Sequence, residues 1–272
     1  MPAYNTEKCI AESIESILKQ SFNDFELIIV GEESTDNTLS IIHSFSDKRI
    51  ILLQNEHDFI GSLNLGLQKA TGKYIACMDA NDMMHIDRLK IQHTIMEEES
   101  DITVCGTWMI PFGDTVSAGK ISQGGNGLIE NPLIQLLKGN FIFHPTEMIR
   151  KDFLDSHNLQ YQNYLSAEDY QLWFEIAKRN GMFYIESQPL LYYRVSETRI
   201  NIERQKEQQE TSLQIKQEML EYLIDQNKEK HSEIATLYGS FLPLKEQNWL
   251  TPDDIFAFFY TFFLKNKLKL DL

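Results

Sequence analysis

The chain has few basic residues for its size. Of 272 residues, 25 are Lys or Arg against 40 Asp or Glu, a formal charge of −15. Holding a nucleic-acid backbone requires clustered cations that displace its counterions, so a general affinity for DNA or RNA is excluded. Cysteine is scarce as well. Cys9, Cys77 and Cys105 are widely spaced, with no pair at metal-ligand spacing and no even-numbered framework, which points to a reducing, cytoplasmic setting. No long hydrophobic run exists: Ile255 to Leu264 is half of the roughly 20 residues that a membrane-spanning helix needs. No glycine-rich phosphate loop of the GxGxxG or Walker type follows any predicted strand, which argues against dinucleotide cofactors and P-loop chemistry. The first residues show no charged start leading into an apolar stretch, so no signal peptide is read there.

What is present is a globular composition, 42% hydrophobic and 11% aromatic. That is enough apolar material to bury a core, in one domain with an extension or in two small ones. Ile10, Ile14, Ile17 and Leu18 mark one face of a helix from about Glu7 to Gln20. Phe25 to Val30 reads as a buried strand. Ser34, Thr35 and Asp36 offer caps for a second helix carrying Leu39, Ile42 and Phe45 inward. Ile50 to Leu53 is the next strand, and Gly61 to Ala70 a short helix closed by Thr71-Gly72, with glycine suited to a left-handed end. Lys73 to Met78 is a further strand. This alternation predicts a mostly parallel sheet with helices on both faces. Strands follow at Asp101 to Met109, Thr146 to Ile149, Met182 to Ile185 and Leu190 to Val195, with helices at Pro132 to Lys138 and Ala167 to Asn180. The glycine-dense segment Gly113 to Gly127 reads as a mobile surface loop, with a lid over a ligand as the sharper alternative. From about Glu197 the text turns rich in Glu, Gln and Lys with apolar residues at helical spacing, a helical extension over 201–272 after a domain over 1–200, itself halved near residue 100.

In open parallel sheets, ligands bind beyond the carboxyl ends of the strands. Three such ends are chemically loaded: Pro2 to Asn5, Gly31 to Asp36, and Asp79-Ala80-Asn81-Asp82. Two carboxylates and an amide at one strand end offer hard oxygens for Mg2+ or Mn2+, although Asp and Asn are equally at home in a plain turn.

The strings Met1 to Asn5 (MPAYN), Leu27 to Thr38 (LIIVGEESTDNT), Leu63 to Leu89 (with DAND inside it) and Ser166 to Trp173 (SAEDYQLW) occur in the order and at the spacing of signatures in family 2 glycosyltransferases. Over about residues 1–200 the chain resembles that family, whose fold is GT-A. The resemblance implies a nucleotide-diphosphate-sugar donor (UDP-sugar favoured), Mn2+ or Mg2+, and transfer with inversion to a hydroxyl of a carbohydrate or lipid-linked acceptor, as in surface polysaccharide assembly. It implies nucleoside contacts at Pro2, Ala3 and Tyr4, and places Glu32 where the family reads the nucleobase. Gly31 and Glu33 depart from the usual Asp and Gly. Asp79 and Asn81 match the ends of the metal-binding DxD motif; the amide brings no charge, so weaker metal binding is expected unless Asp82 compensates. Asp169 matches the general base, with Glu168 as helper or structural neighbour; both also suit a helix N-terminus electrostatically. His144 falls on the acceptor side or in a structural hydrogen bond. Ser196 stands where some members carry a histidine. Arg194 or Arg199 is expected to meet a phosphate, since a guanidinium offers paired donors, or else to form a surface salt bridge. Trp173 is expected in the core.

The motif order begins at the end of a first strand. This implies a truncated central strand and roughly eight to ten further residues before Met1, the length of a short strand with its lead-in. The aromatic cluster Phe256 to Phe263, followed by Lys265, Lys267 and Lys269, is expected to pack on the core or on a second copy through the C-terminal helices. Peripheral contact with an anionic membrane is the alternative. The competing functional reading is a catalytically degenerate nucleotide-sugar-binding protein, which Gly31, Asn81 and Ser196 favour.

Overall fold

The computed structural model describes residues 1–113, 125–195 and 202–266, with only the backbone of 202–204. Ser196, Arg199, Lys267, Lys269 and most of the glycine-dense segment lie outside the described residues. The chain divides into two compact units. The first comprises Met1–Ile129, Ile142–Asn163 and Gly181–Asn201; the second comprises Glu130–Phe141, Tyr164–Asn180 and Ile202–Leu272.

The first unit begins with a three-stranded parallel sheet, ordered β1 (Pro2–Ala3), β2 (Leu27–Glu32), β3 (Ile50–Asn55). Helices α1 (Ile10–Leu18), α2 (Thr38–Ser44) and α3 (Phe59–Lys69) alternate with these strands. The apolar period of α1 buries Ile10, Ile14 and Ile17, as its spacing requires. Asp36 serves the start of α2, accepting the Thr38 N–H at 2.9 Å. Helix α3 closes differently from the expectation. Its end residue Ala70 is extended, and Gly72 is not among the glycines at positive φ; a Cβ there would meet the Tyr74 carbonyl at 3.3 Å.

A six-stranded mixed sheet follows, ordered β4 (Tyr74–Ala76), β8 (Met148–Arg150), β6 (Ile102–Phe112), β9 (Met182–Arg194) and β5 (Met83–Met84), with β7 (Gly127–Leu128) also on β9. Strands β6 and β9 run parallel; the other pairs are antiparallel. The two separate strands expected over 182–195 are one, kept in register with β6 through irregularities near Trp108. Helices α4 (Arg88–Glu98) and α6 (Lys151–Ser156) complete the unit. The core of this unit includes Ala3, Ile29, Met78, Met96, Cys105 and Leu191.

The second unit is helical: α5 (Pro132–Lys138), α7 (Glu168–Ala177), α8 (Ile202–Asn227), α9 (Ser232–Glu246) and α10 (Pro252–Asn266). Trp173 is fully buried, as expected. The aromatic run of α10 is amphipathic: Phe256, Phe259 and Phe263 are buried, while Phe258 is 39% exposed. Tyr260 donates to Gln135 of α5 at 3.2 Å, so α10 is anchored within its own unit. Among the described residues, no helix is long and apolar enough to cross a membrane.

Candidate active site

The loaded strand ends of the first sheet are tied together by side chains. After β1 the backbone turns through Asn5 at a φ of 48°. Its N–H donates to Ser34 Oγ (3.1 Å), its Oδ1 accepts the Thr35 N–H (2.8 Å), and the Thr6 N–H reaches Thr38 Oγ1 (2.8 Å). Ala3 is buried beside this knot, while Tyr4 is 39% exposed with its ring stacked on His57 at 4.0 Å. Glu32 closes β2, buried, with Oε2 3.4 Å from His57 Nδ1. Burial raises its pKa, and the Ser62 hydrogen bond and the His57 charge counter that rise. Gly31 packs under α2: a Cβ would come within 2.7 Å of a Leu39 methyl. His57 was not anticipated as a site residue. Its signal lies in the polar stretch Asn55-Glu56-His57-Asp58, since Asn55 pairs with Glu32 and so brings a third loaded strand end to the same edge.

Beyond β4, residues 79–82 form a tight turn in which the Asp82 N–H donates to the Asp79 carbonyl at 3.2 Å. Ser13 Oγ holds the Ala80 carbonyl at 2.9 Å. Asp79 and Asn81 are partly accessible, whereas Asp82 is wholly buried and accepts the Arg194 N–H on Oδ1 at 2.8 Å. The Arg194 side chain is committed to this region too. Its Nε donates to the Asn81 carbonyl (2.8 Å), Nη2 pairs with Glu12 (2.5 Å), and the guanidinium lies 4.5 Å from the Phe112 ring centre. Among the described residues, the turn's carboxylates do not converge with others into a three-ligand group of His, Cys, Asp and Glu. A hard divalent ion at this turn therefore needs oxygens from a ligand, as Mg2+ and Mn2+ commonly do beside phosphates.

Behind the turn, α4 contributes polar groups to the interior. Arg88 is fully buried; Nη2 donates to the carbonyls of Cys77 (2.9 Å) and Glu147 (3.1 Å), and Nε to Gln92 (3.0 Å). Burial lowers the Arg88 pKa to about 10. His144 opens a 3-10 turn and lies 3.2 Å from Tyr161 Oη and 3.5 Å from Glu147 Oε1, a bonded interior histidine.

The Glu168-Asp169 pair opens α7 in the second unit, after Ser166 at a φ of 60°. Glu168 is nearly buried and Asp169 partly accessible. Asp169 Oδ2 accepts Asn140 Nδ2 at 2.9 Å, and Oδ1 caps the Tyr170 N–H at 2.7 Å. These two bonds orient the carboxylate. Tyr170 anchors the helix start through its hydroxyl on the Leu136 carbonyl.

Residues 1–158 match the family model described as Glycosyl transferase family 2. The UDP-Glc:alpha-D-GlcNAc-diphosphoundecaprenol beta-1,3-glucosyltransferase WfgD of Escherichia coli is 31% identical over 215 residues, covering 76% of this chain and 80% of that protein. Among solved structures, S. aureus TarS 1–349 in complex with UDP aligns with a TM-score of 0.64 at 23% identity, over 80% of this chain and 63% of that one. The mannosyltransferase PcManGT from Pyrobaculum calidifontis, in complex with GDP-Man and Mn2+, aligns at 0.55 and 13% identity over 99% and 85%. At these identities the structural likenesses speak for the fold. The chain belongs to glycosyl transferase family 2 and has the mixed α/β architecture of its GT-A enzymes.

Proposed function

We propose that the chain transfers a sugar from a UDP-sugar to a hydroxyl of a lipid-linked, diphosphate-bearing acceptor, with inversion. WfgD, by its name, uses UDP-glucose and a GlcNAc-diphosphoundecaprenol acceptor, and TarS is seen with UDP. The observation that carries the reading is the braced turn at 79–82, which leaves Asp79 and Asn81 accessible while Asp82 and Arg194 hold the backbone. Those two side chains would hold Mn2+ or Mg2+, their hard oxygens fitting such an ion. The ion supplies positive charge against the leaving diphosphate. Pro2, Ala3 and Tyr4 line the nucleoside end, and Glu32, aligned by His57, accepts from a base N–H. Asp169 takes the acceptor hydroxyl proton as the new C1–O bond forms and the bond to the diphosphate breaks, with Glu168 and Asn140 positioning it. Asp82 and Arg194 act in this reading as braces of the turn.

The second reading, a protein that binds nucleotide sugars without transferring them, is favoured by the uncharged Asn81. Calorimetry with UDP, with and without Mn2+, tests what both share. Mn2+-dependent binding that weakens at least about tenfold in Asp79→Ala is expected, since that variant removes a charged metal ligand. Binding of UDP that is indifferent to Mn2+ and to Asp79→Ala would overturn the assignment.

A further inference from the structure

A second set of ligand-type atoms lies inside the first unit, separate from the side chains of the 79–82 turn. Cys77 Sγ, a His144 ring nitrogen and a Glu147 carboxylate oxygen all lie within 4.8 Å of one another. Tyr161 Oη stands against all three, 3.7 Å from Cys77 Sγ, 3.2 Å from His144 Nε2 and 3.4 Å from Glu147 Oε1. The His144 to Glu147 separation is 3.5 Å. Bonds of about 2.0–2.3 Å from zinc to N, O and S put the corners of a tetrahedron roughly 3.3–3.8 Å apart, by simple geometry. Four of the six separations among these atoms are thus close to those of a tetrahedral shell, and the two from Cys77 to His144 and Glu147 are within 4.8 Å.

A second observation concerns Glu147 alone. The residue is wholly buried, and its Oε2 has no hydrogen-bond partner. A buried carboxylate oxygen with no hydrogen-bond partner is costly to keep charged. A bound cation resolves that cost in the way a metal site does, by taking the deprotonated thiolate and carboxylate as ligands. Thiolate and carboxylate together match the charge of a divalent ion, and the buried Arg88 guanidinium acts on Glu147 and Cys77 before Asp82.

We propose that Cys77, His144 and Glu147, with Tyr161 at the fourth corner, bind a borderline divalent ion, zinc in the first instance. The mixed S, N and O set selects such an ion over Mg2+ or Mn2+, which prefer oxygen alone. Its role is structural. Cys77 directly follows β4 and lies two residues before Asp79, its N–H donating to the Glu147 carbonyl at 3.2 Å. An ion held here pins the end of β4 to the segment 144–147 and so fixes the root of the 79–82 turn.

Titration of the chelator-treated chain with Co2+ tests this without reference to nucleotide or transfer. One equivalent is expected to give the intense visible bands of a four-coordinate site and a thiolate-to-cobalt charge-transfer band, both bleached by Zn2+ but not by Mg2+. Cys77→Ser should abolish the charge-transfer band, Cys9→Ser should keep it, and His144→Gln should weaken Co2+ binding at least tenfold. In the unaltered chain, Zn2+ should protect Cys77 from alkylation, which keeps the test open should a variant fail to fold. Weak octahedral spectra, a band that survives Cys77→Ser, or alkylation of Cys77 indifferent to Zn2+ would overturn the proposal.

Discussion

The Asp82 carboxylate accepts the Arg194 N–H inside the protein, and the Arg194 guanidinium holds the Asn81 carbonyl. Removing the carboxylate leaves a donor without its partner in the interior, which costs about 1–3 kcal/mol. Asp82→Ala is therefore expected to lower stability by that amount in urea unfolding, and to weaken Mn2+-dependent UDP binding by loosening the turn. A variant as stable as the parent would show that the bond is not a brace. From the sequence, Asp82 reads as a third metal oxygen and Arg194 as a phosphate contact or a surface salt bridge, and the bridge to Glu12 is present; the brace between them was not legible, because side-chain identity at a strand end says nothing of which atoms point inward. The same blindness hides His57, whose stacking on Tyr4 and pairing with Glu32 depend on the β2–β3 register.

Elements were legible where their buried faces are uniformly apolar. Helix α1 shows its face at Ile10, Ile14 and Ile17, and α5 has the bounds its run of leucines and isoleucine suggests. Helix α4 escaped because its interior face mixes Leu89 and Met96 with Arg88 and Gln92, polar residues that donate to carbonyls of β6 and of the segments around residues 77 and 146–147. No periodicity of hydrophobic residues can reveal that. Strand β9 looked like two because Glu186 to Pro189 interrupts its apolar text, yet pairing with β6 carries it through. Helix α10, by contrast, is held by its aromatic face. Phe259, fully buried, touches the rings of Tyr238 and Phe241 in α9. Phe259→Ala is expected to cost about 3–5 kcal/mol in chemical denaturation, the usual cost of emptying a buried aromatic site. A loss below about 1 kcal/mol, the scale of a surface substitution, would place α10 outside the cooperative core.

For the whole molecule, the order of motifs along the chain carried the family and fold, because strand ends and the α7 start recur at set spacing around the loaded residues. Which hydroxyl the enzyme serves was not legible, since acceptor choice rests on pocket shape. The central claim is the proposed role of Asp169 as the proton acceptor. It is tested most directly by transfer from UDP-glucose to a GlcNAc-diphosphate-lipid acceptor in Asp169→Asn, with UDP binding measured alongside. The account predicts that turnover falls roughly 10²–10⁴-fold, the range for losing a general base, while Mn2+-dependent UDP binding is unchanged and the parent's product carries the inverted anomeric configuration. Turnover of Asp169→Asn within twofold of the parent, or a product that retains the donor's configuration, would contradict it.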